Sequence, residues 1–485
     1  MAGFDMDRRK FVTASVASTT VSSLGATASA DDGSTTDETR DPLDVFPTLD
    51  KKAVSAFAYD IESDDVVAEH NPDVPLAPAS NTKLLTTALA FDRLGGDYRF
   101  ETAVGTPEPT SGETVEELAI VGRGSPDLGA DDLDDLAAAV ADAGVSTVSR
   151  RIVADDSYFD ESVYGVAWTN ADGRFSYGAK ITSLAVSRNT VDVTVSRPTD
   201  ECEFEVDITP DSDAVEIDLD VECSGSDSIS VSNQEPWTPT INVTGRLSPG
   251  SDATGNAPVG EPVRHAASVF VNALDDHGVS VTPEAVSVTP TAVSATPEIE
   301  VVDEPVDLAE TYGTVESDPL SEILTELNAW SNNFIAEMIA RTVAHESTGA
   351  SSWQTVIDEF FADLGHETAA IQGGSGLSRQ TTVSSRAMAE AVEWGLSQEW
   401  GDDFLDTIPV AGEAGTVRNR LGDVDGEVRA KTGSLSGVDA LTGTIGEPGK
   451  PQIVFSILLN GLTSDRARQS GSRIDDFVRS VADHR

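Results

Sequence analysis

The most informative chemistry in the sequence begins at Ser80-Asn81-Thr82-Lys83, which opens a segment punctuated by Leu85, Leu89 and Leu94. Positions i and i+3 share one face of a helix, so the lysine amine can stand beside the serine hydroxyl. A neutral amine there can take the hydroxyl proton and so activate a nucleophile. Backbone N–H groups at a helix start would stabilise a developing oxyanion. A serine at a helix start is also an ordinary N-cap, so this motif alone leaves both interpretations open.

Two other short motifs carry groups that could complete such a site. Ser331-Asn332-Asn333 falls between two segments of helical periodicity and could equally be a polar loop with capping residues. In Lys431-Thr432-Gly433-Ser434 the lysine offers a cation to a carboxylate and the glycine would let a substrate backbone lie close, although the same residues could simply start a strand. Only seven lysines occur in the chain, at positions 10, 51, 52, 83, 180, 431 and 450, so two of them in these motifs favours chemistry over chance.

Other catalytic signatures are missing from the sequence. The six histidines, at positions 70, 265, 277, 345, 366 and 484, show no H-E-x-x-H spacing. The chain has no G-x-S-x-G elbow and no P-loop, and its two cysteines form no C-x-x-C pattern. The residues therefore give no support to a zincin-type or redox site, and the family resemblance described below implies neither a metal ion nor an organic cofactor.

The charge balance is extreme, with 84 acidic against 31 basic residues in 485 and a formal net charge of −53. Such a field repels phosphate, which excludes nucleic acid as a partner. An acid-rich, lysine-poor surface is typical of proteins that stay hydrated in molar salt, where the Debye length is about 3 Å and self-repulsion is screened. We expect a salt-adapted protein.

The N-terminal residues have the pattern of an export signal. Arg8-Arg9-Lys10-Phe11-Val12 is similar to the twin-arginine motif, a weakly apolar stretch follows, and Ala28-Ser29-Ala30 fits a cleavage site. We predict a signal peptide at 1–30 and a disordered acidic linker at 31–42; a basic patch opening a helix is the alternative. No later run approaches 18 apolar residues, so no transmembrane span follows. The working place is then outside the cytoplasmic membrane, extracellular or at the cell surface.

The two cysteines fit an exported protein. Cys202 and Cys223 lie in the middle of the chain and are expected to form one disulfide. By loop entropy this bond would stabilise the fold by roughly 3 kcal/mol. Two free buried thiols are the alternative.

Periodicity predicts the elements that must position the motifs. A hairpin at 54–59 and 66–68 precedes the leucine-rich helix, which Gly95-Gly96 ends, and a second hairpin at 440–445 and 453–459 precedes a final amphipathic helix. Between about 100 and 305 the sequence predicts short strands, two weak helices at 131–143 and 261–277, and exposed antiparallel strands across 190–231.

Taken in order, S-x-x-K, S-x-N and K-T-G resemble the penicillin-binding protein and serine β-lactamase superfamily. The long gap from position 80 to position 331 is similar to that of the class C penicillin-binding proteins, the D-alanyl-D-alanine carboxypeptidase/endopeptidases, which carry a two-part insertion there. The resemblance covers nearly all of 45–480. Further similar blocks are 124–128, 155–159, 177–179, Ala336-Glu337, 374–379, Ala411-Gly412 and Gly415-Thr416.

The resemblance implies the fold class and the domain order. It implies an α/β (α+β) catalytic domain with an antiparallel sheet flanked by helices, made from 43–98 and 306–485 and similar to penicillin-binding proteins and β-lactamases. A β-rich insertion in two parts would comprise one subdomain at 99–185 and 280–305, and a nested one at 186–279. The first and last hairpins must then share one sheet.

The same resemblance implies roles for four residues in catalysis. Ser80 is the acylated nucleophile, which attacks the bond between two D-alanines, and Lys83 is the base for acylation. Ser331 relays a proton toward the leaving group, and Asn333 holds the substrate amide. These roles make the enzyme a serine-type carboxypeptidase, a hydrolase that works through an acyl-enzyme.

The third motif is implied to bind substrate. Lys431 and Thr432 would meet the terminal carboxylate, with Gly433 and Ser434 alongside. The backbone N–H groups of Ser80 and Ser434 would form the oxyanion hole. The implied partners are peptides ending in D-amino acids, with β-lactams as acylating inhibitors.

Two positions depart from the family pattern, and the substrate and the activity have alternatives. The family usually has Asp where Gly373 stands and often has Asp at Ser125. Acid-rich proteins are common in organisms without peptidoglycan, so the native substrate could be another peptide ending in a D-amino acid. The alternative activities are an esterase or β-lactam hydrolase on the same scaffold, or a catalytically silent binding protein. The intact three motifs argue against the last.

Overall fold

A computed structural model describes residues 54–159, 164–165, 168–282, 298–348, 352–462 and 464–484. All of them belong to one compact unit of the chain, 40–485. The predicted signal peptide and acidic linker lie outside the described residues. Within the described ranges, no helix combines the length and the apolarity needed to cross a membrane.

The chain forms the following strands and helices. The strands are β1 (Val54–Asp60), β2 (Val66–His70), β3 (Glu101–Thr106), β4 (Thr114–Gly122), β5 (Thr147–Asp155), β6 (Thr190–Arg197), β7 (Glu205–Thr209), β8 (Glu216–Cys223), β9 (Ser228–Ser232), β10 (Thr240–Leu247), β11 (Ser251–Pro258), β12 (Ser280–Val281), β13 (Glu298–Val302), β14 (Glu310–Glu316), β15 (Glu427–Leu435), β16 (Val438–Glu447) and β17 (Lys450–Asn460). The α-helices are α1 (Thr82–Leu94), α2 (Ala130–Asp142), α3 (Pro262–Asp276), α4 (Leu320–Trp330), α5 (Asn333–Thr348), α6 (Trp353–Asp363), α7 (Ser385–Leu396), α8 (Gly401–Thr407) and α9 (Ser464–Ala482).

The central sheet joins the two ends of the described chain. Its strand order is β15-β16-β17-β1-β2, and every neighbouring pair is antiparallel. Ala58 of β1 lies opposite Phe455 of β17. The first and last hairpins therefore share one sheet, as predicted, and the whole stretch between them leaves this sheet and returns to it.

Helices cover both faces of the central sheet, which confirms the predicted fold class. Side chains alternate across a strand, and β1 uses this fully. Phe57 and Tyr59 pack on one face against the helices α1, α4, α5, α6 and α7. Ala56 and Ala58 point to the other face, where α9 packs with Phe477. A strand buried on both sides in this way fixes its register tightly.

The insertion contains a second sheet with its own helices. β12, β5, β4, β3 and β14 are neighbours in that order, and β13 also pairs with β5. The helices α2 and α3 bury Leu136 and Phe270 in the core of this sheet, beside Ile120 and Ile152. Both helices lie within a residue of the positions that periodicity predicts.

A nested pair of small sheets occupies the stretch from β6 to β11. The orders are β8-β10-β9 and β11-β6-β7, and the two sheets share one core that contains Val193 and Ile241. The predicted antiparallel arrangement is wrong in one place, because β8 runs parallel to β10. Alternation of apolar and acidic residues fixes which face is buried but not the direction of the neighbouring strand. Cys202 and Cys223 form the expected disulfide. The boundaries assigned to the three regions stay a prediction.

Candidate active site

Ser80 lies in a short 3₁₀ helix, Ala79–Asn81, which leads directly into α1. The N-cap of α1 is Asn81, and its side chain makes no capping hydrogen bond. The interpretation of Ser80 as an N-cap is therefore wrong. Its side chain is partly exposed, whereas Lys83 one turn later is completely buried.

The segment that carries Ser80 is fixed against the central sheet. The Asn81 side chain donates a hydrogen bond to Thr442 Oγ1 of β16, 2.8 Å away. A Cβ atom added to Gly433 of β15 would lie 2.5 Å from the Pro78 carbonyl oxygen and 3.1 Å from the Ser80 nitrogen. Glycine at 433 is thus required by the close approach of the chain's own segment 78–81, whereas the sequence suggested room for a substrate backbone.

Lys83 is the hub of the site. Its Nζ lies 3.0 Å from Ser80 Oγ, 2.8 Å from Asn333 Oδ1 and 2.6 Å from the Ser375 carbonyl oxygen. The amide and carbonyl oxygens can only accept, so they take two N–H groups of the amine. When the amine is charged, its third N–H faces Ser80 Oγ; when the amine is neutral, its lone pair faces the Ser80 hydroxyl, which can then donate to it.

The electrostatics of the pocket favour a neutral Lys83. Burial lowers the pKa of Lys83 well below that of a free lysine, and the nearby Lys431 lowers it further. The Glu337 carboxylate acts in the opposite direction and raises this pKa.

Lys431 is the second buried amine. Its Nζ donates to the Thr432 carbonyl oxygen at 3.1 Å, and burial lowers its pKa to about 7. Along β15, Lys431 and Gly433 are buried, while Thr432 is partly exposed and Ser434 is exposed. The pleat therefore puts the lysine and the two hydroxyls of the motif on opposite faces of the strand.

The two hydroxyls of this motif are each held by a neighbour. Thr432 donates to Thr416 Oγ1 at 2.7 Å, and Ser434 donates to Asp439 Oδ1 at 3.2 Å across the β15–β16 hairpin. β15 stands at the end of the strand order. At Val428 and Ala430 its outer edge already pairs with the segment 409–411, and beyond Ala430 the edge can offer backbone groups to a substrate.

The second motif forms the turn between α4 and α5. Ser331 ends α4 in the left-handed conformation (φ 62°, ψ 38°), and Asn333 begins α5. The Asn333 amide nitrogen donates to the Tyr177 carbonyl oxygen at 3.1 Å, which directs its oxygen to Lys83. Within the described residues, the Ser331 hydroxyl forms no hydrogen bond with Ser80 or Lys83.

Three contacts of the site come from residues that lie in blocks similar to the family but outside the three motifs. Ser375 contributes a backbone carbonyl and Tyr177 another, and backbone groups leave no trace in residue types. Glu337 does have a signal, because it stands four residues after Asn333 and so on the same face of α5. Among the described residues, no group of three or more His, Cys, Asp or Glu side chains is placed to hold a metal ion.

Comparison with protein families gives one match over nearly the whole chain. Residues 40–481 match the model of the D-Ala-D-Ala carboxypeptidase 3 (S13) family. A curated relative, the D-alanyl-D-alanine carboxypeptidase of Actinomadura sp. (strain R39), is 31% identical over 467 residues, which cover 90% of this chain and 84% of the relative.

Solved structures share the fold. Penicillin-binding protein 4 (dacB) of Haemophilus influenzae superimposes with a TM-score of 0.76 at 20% identity and covers 92% of this chain and 99% of its own. The same protein in complex with a novel β-lactam gives a TM-score of 0.70 at 19% identity, covering 92% of this chain and 98% of its own.

Proposed function

The chain belongs to the D-Ala-D-Ala carboxypeptidase 3 (S13) family and is a serine-type D-alanyl-D-alanine carboxypeptidase, and we propose that it acts through an acyl-enzyme on Ser80. The observation that carries this proposal is the Lys83 amine, 3.0 Å from Ser80 Oγ and held by two partners that can only accept. Of the three partners, only the Ser80 hydroxyl carries a proton that the amine can take.

In the acylation step, Ser80 Oγ attacks the carbonyl carbon between two D-alanines and its proton passes to Lys83 Nζ. The backbone N–H groups of Ser80 and Ser434 form the oxyanion hole, and the close approach of the Ser80 segment to Gly433, the residue before Ser434, supports this pairing. The C–N bond then breaks, and Ser331 relays the proton from Lys83 to the amine of the departing D-alanine. An ester on Ser80 remains.

In the second step, a water molecule attacks the ester carbon and gives its proton to Lys83. The bond to Ser80 Oγ breaks, the hydroxyl regains a proton, and the shortened peptide leaves as a carboxylate. Because Lys83 must be neutral to accept a proton, the rate should rise with pH through a pKa well below that of free lysine.

Substrate recognition is proposed to centre on the third motif. A peptide lying along the outer edge of β15 would bring its terminal carboxylate toward Lys431 and Thr432, and Asn333 would hold the peptide amide. A bound carboxylate favours the charged form of the buried Lys431 amine, whose pKa burial has lowered to about 7. Substrate binding and protonation of Lys431 should therefore be coupled.

The site of action is proposed from the sequence. The pattern at Arg8-Arg9 and the cleavage-like Ala28-Ser29-Ala30 support export by the twin-arginine route, and the acidic surface supports a saline environment. Substituting both arginines by lysine should leave the protein inside the producing cell. Secretion of that variant at the normal level would contradict the export proposal.

One assay separates the peptidase from its alternatives. Wild type and Ser80→Ala are incubated in molar KCl with an acylated tripeptide ending in D-Ala-D-Ala, and separately with benzylpenicillin. We expect release of D-alanine by wild type alone, and slow turnover of penicillin. Fast penicillin hydrolysis without D-alanine release would indicate a β-lactam hydrolase, and no reaction with either would indicate a silent binding protein.

A further inference from the structure

Glu337 is a buried carboxylate beside the catalytic amine to which no motif assigns a part. Its side chain is 3% exposed, on the face of α5 that also carries Asn333. Its Oε1 accepts a hydrogen bond from the Ser375 backbone N–H at 3.0 Å. The same residue, Ser375, offers its carbonyl oxygen to Lys83 Nζ at 2.6 Å. One residue thus joins the carboxylate to the amine.

Side chains from several elements hydrogen-bond to the backbone of the loop 373–375. The carbonyl of Gly374 accepts from Thr86 Oγ1 at 2.8 Å, and the carbonyl of Gly373 accepts from Trp353 Nε1 at 3.1 Å. Three successive carbonyls are therefore fixed by side chains, and Glu337 fixes the N–H of the third residue. The Ser375 carbonyl is in this way a rigid acceptor for Lys83.

The Glu337 carboxylate lies where a side chain at position 373 would lie, and residue 373 is a glycine. It has a φ of +74°, and a Cβ atom there would lie 2.7 and 2.9 Å from the two carboxylate oxygens of Glu337. Any side chain at 373 would push against Glu337, and an aspartate would add a second carboxylate. With the backbone as it stands, Gly373 therefore leaves the Glu337 carboxylate room beside the Ser375 loop.

Glu337 also favours the charged form of the Lys83 amine. The charged groups that act on Lys83 are Lys431 from β15 and Glu337 from α5. Both amines are completely buried, so screening by water is weak and a neighbouring carboxylate acts strongly. Glu337 is the negative group of this buried trio.

We propose that Glu337 is a positioning residue for Lys83, holding the Ser375 carbonyl that orients the amine and supplying the negative charge that keeps the amine basic. This inference rests on the proposed role of Lys83 as the base for Ser80. A merely structural Glu337 would affect stability alone, whereas a positioning residue changes the pH dependence of acylation.

The test measures the second-order rate of acylation by a fluorescent penicillin between pH 5 and pH 10. In Glu337→Gln the amide can still accept from the Ser375 N–H, but the charge is lost. We expect the midpoint of the rising limb to move down by about one pH unit. In Glu337→Asp the charge remains but the anchor is shortened, so the midpoint should stay while the plateau rate falls about tenfold or more.

Asp156→Asn is the matched control. Asp156 is a partly buried carboxylate that accepts from the Ser183 and Leu184 backbone N–H groups, far along the chain from the three motifs. Its loss should lower the melting temperature and leave both the midpoint and the plateau rate unchanged.

The outcomes separate the two proposals. Penicillin attached at a residue other than Ser80 overturns the proposed function. Penicillin attached at Ser80, with coincident profiles for wild type and Glu337→Gln, overturns this inference alone. If Glu337→Gln does not fold, Glu337→Asp decides, because an unchanged plateau rate in that variant would also overturn the inference.

Discussion

Acidic residues are exposed on strand β8 of the nested pair of small sheets, whereas helix α1 of the candidate active site buries a lysine. On β8 the acidic residues Glu216, Asp218, Asp220 and Glu222 alternate with apolar ones and are all exposed. In α1 every residue from 82 to 91 is buried, and one of them is a lysine. In a chain with a net charge of −53, carboxylates at the surface carry little information about function, whereas a buried amine carries much.

The same contrast appears between two lysines. Lys180 of the insertion is partly buried and donates to one backbone carbonyl, that of Gly260, at 2.6 Å. Lys83 is completely buried and has three partners, one of which is a serine hydroxyl. Burial lowers the pKa of both amines. A lowered pKa is thus shared by Lys180 and by the proposed catalytic Lys83, and the hydroxyl partner distinguishes the two.

The largest expected effect tests this pair. Lys83→Met should slow acylation by penicillin about a hundredfold or more, because it removes the base while the apolar side chain fills the buried space. Lys180→Met should acylate at close to the wild-type rate. The measurement is the second-order labelling rate at pH 8, with circular dichroism as a check on folding. Equal losses of labelling rate in Lys83→Met and Lys180→Met would contradict the distinction between the two lysines.

The next effect concerns Lys431 and stability. An unfolded lysine titrates near 10.5 and the folded one at about 7, so between these values the unfolded state binds the extra proton. The stability that Lys431 contributes must then rise with pH across this window. We expect the free energy of unfolding of Lys431→Met to exceed that of wild type most below pH 7. This difference should shrink as the pH rises toward 10.5.

Urea titrations at several pH values measure that gap in the free energy of unfolding. Lys450→Met is the matched control for the loss of one lysine, because Lys450 is the exposed first residue of β17. If the difference in the free energy of unfolding between Lys431→Met and wild type is constant from pH 7 to pH 10.5, the buried amine does not titrate in that range.

Salt should act on the acidic surface and hardly on the buried site. The melting temperature should rise between about 0.1 and 3 M KCl, since screening removes the repulsion among exposed carboxylates. Replacing Asp218 and Asp220 by asparagine should reduce this dependence slightly. A melting temperature that is constant over the range would contradict the prediction of a salt-adapted surface.

The smallest effect on catalysis is expected from the disulfide. Reducing Cys202–Cys223 removes a link that closes a loop within the nested sheets, with a cost of roughly 3 kcal/mol to the unfolding of that region. The acylation rate should not change, because Ser80 and its partners lie on other elements. A slower rate after reduction would show that the two regions are coupled.

Much of this organisation could be predicted from the sequence because it depends on local spacing. The i, i+3 relation placed Lys83 beside Ser80, and short apolar runs on either side of turn residues predicted the β1–β2 and β16–β17 hairpins. These features require only the geometry of a helix turn or a strand pleat.

The rest depends on backbone groups and on directions that side-chain types do not encode. The Ser375 carbonyl reaches Lys83 from 292 positions away, and no residue pattern marks a carbonyl as an acceptor. The parallel pairing of β8 with β10 has the same alternation as an antiparallel one. Glycine at 433 was predicted to matter, but only the packing of Pro78 and Ser80 against it gives the reason.

The central claim is that Ser80 is the nucleophile, and mass spectrometry after exposure to benzylpenicillin tests it most directly. Wild type and Ser80→Ala are incubated in molar KCl, with Ser434→Ala as a control that keeps the nucleophile and alters an exposed hydroxyl of the third motif. The account predicts that wild type and Ser434→Ala gain the mass of the acyl group on the peptide containing Ser80, while Ser80→Ala gains none. Acylation of Ser80→Ala, or of another residue in wild type, would contradict it.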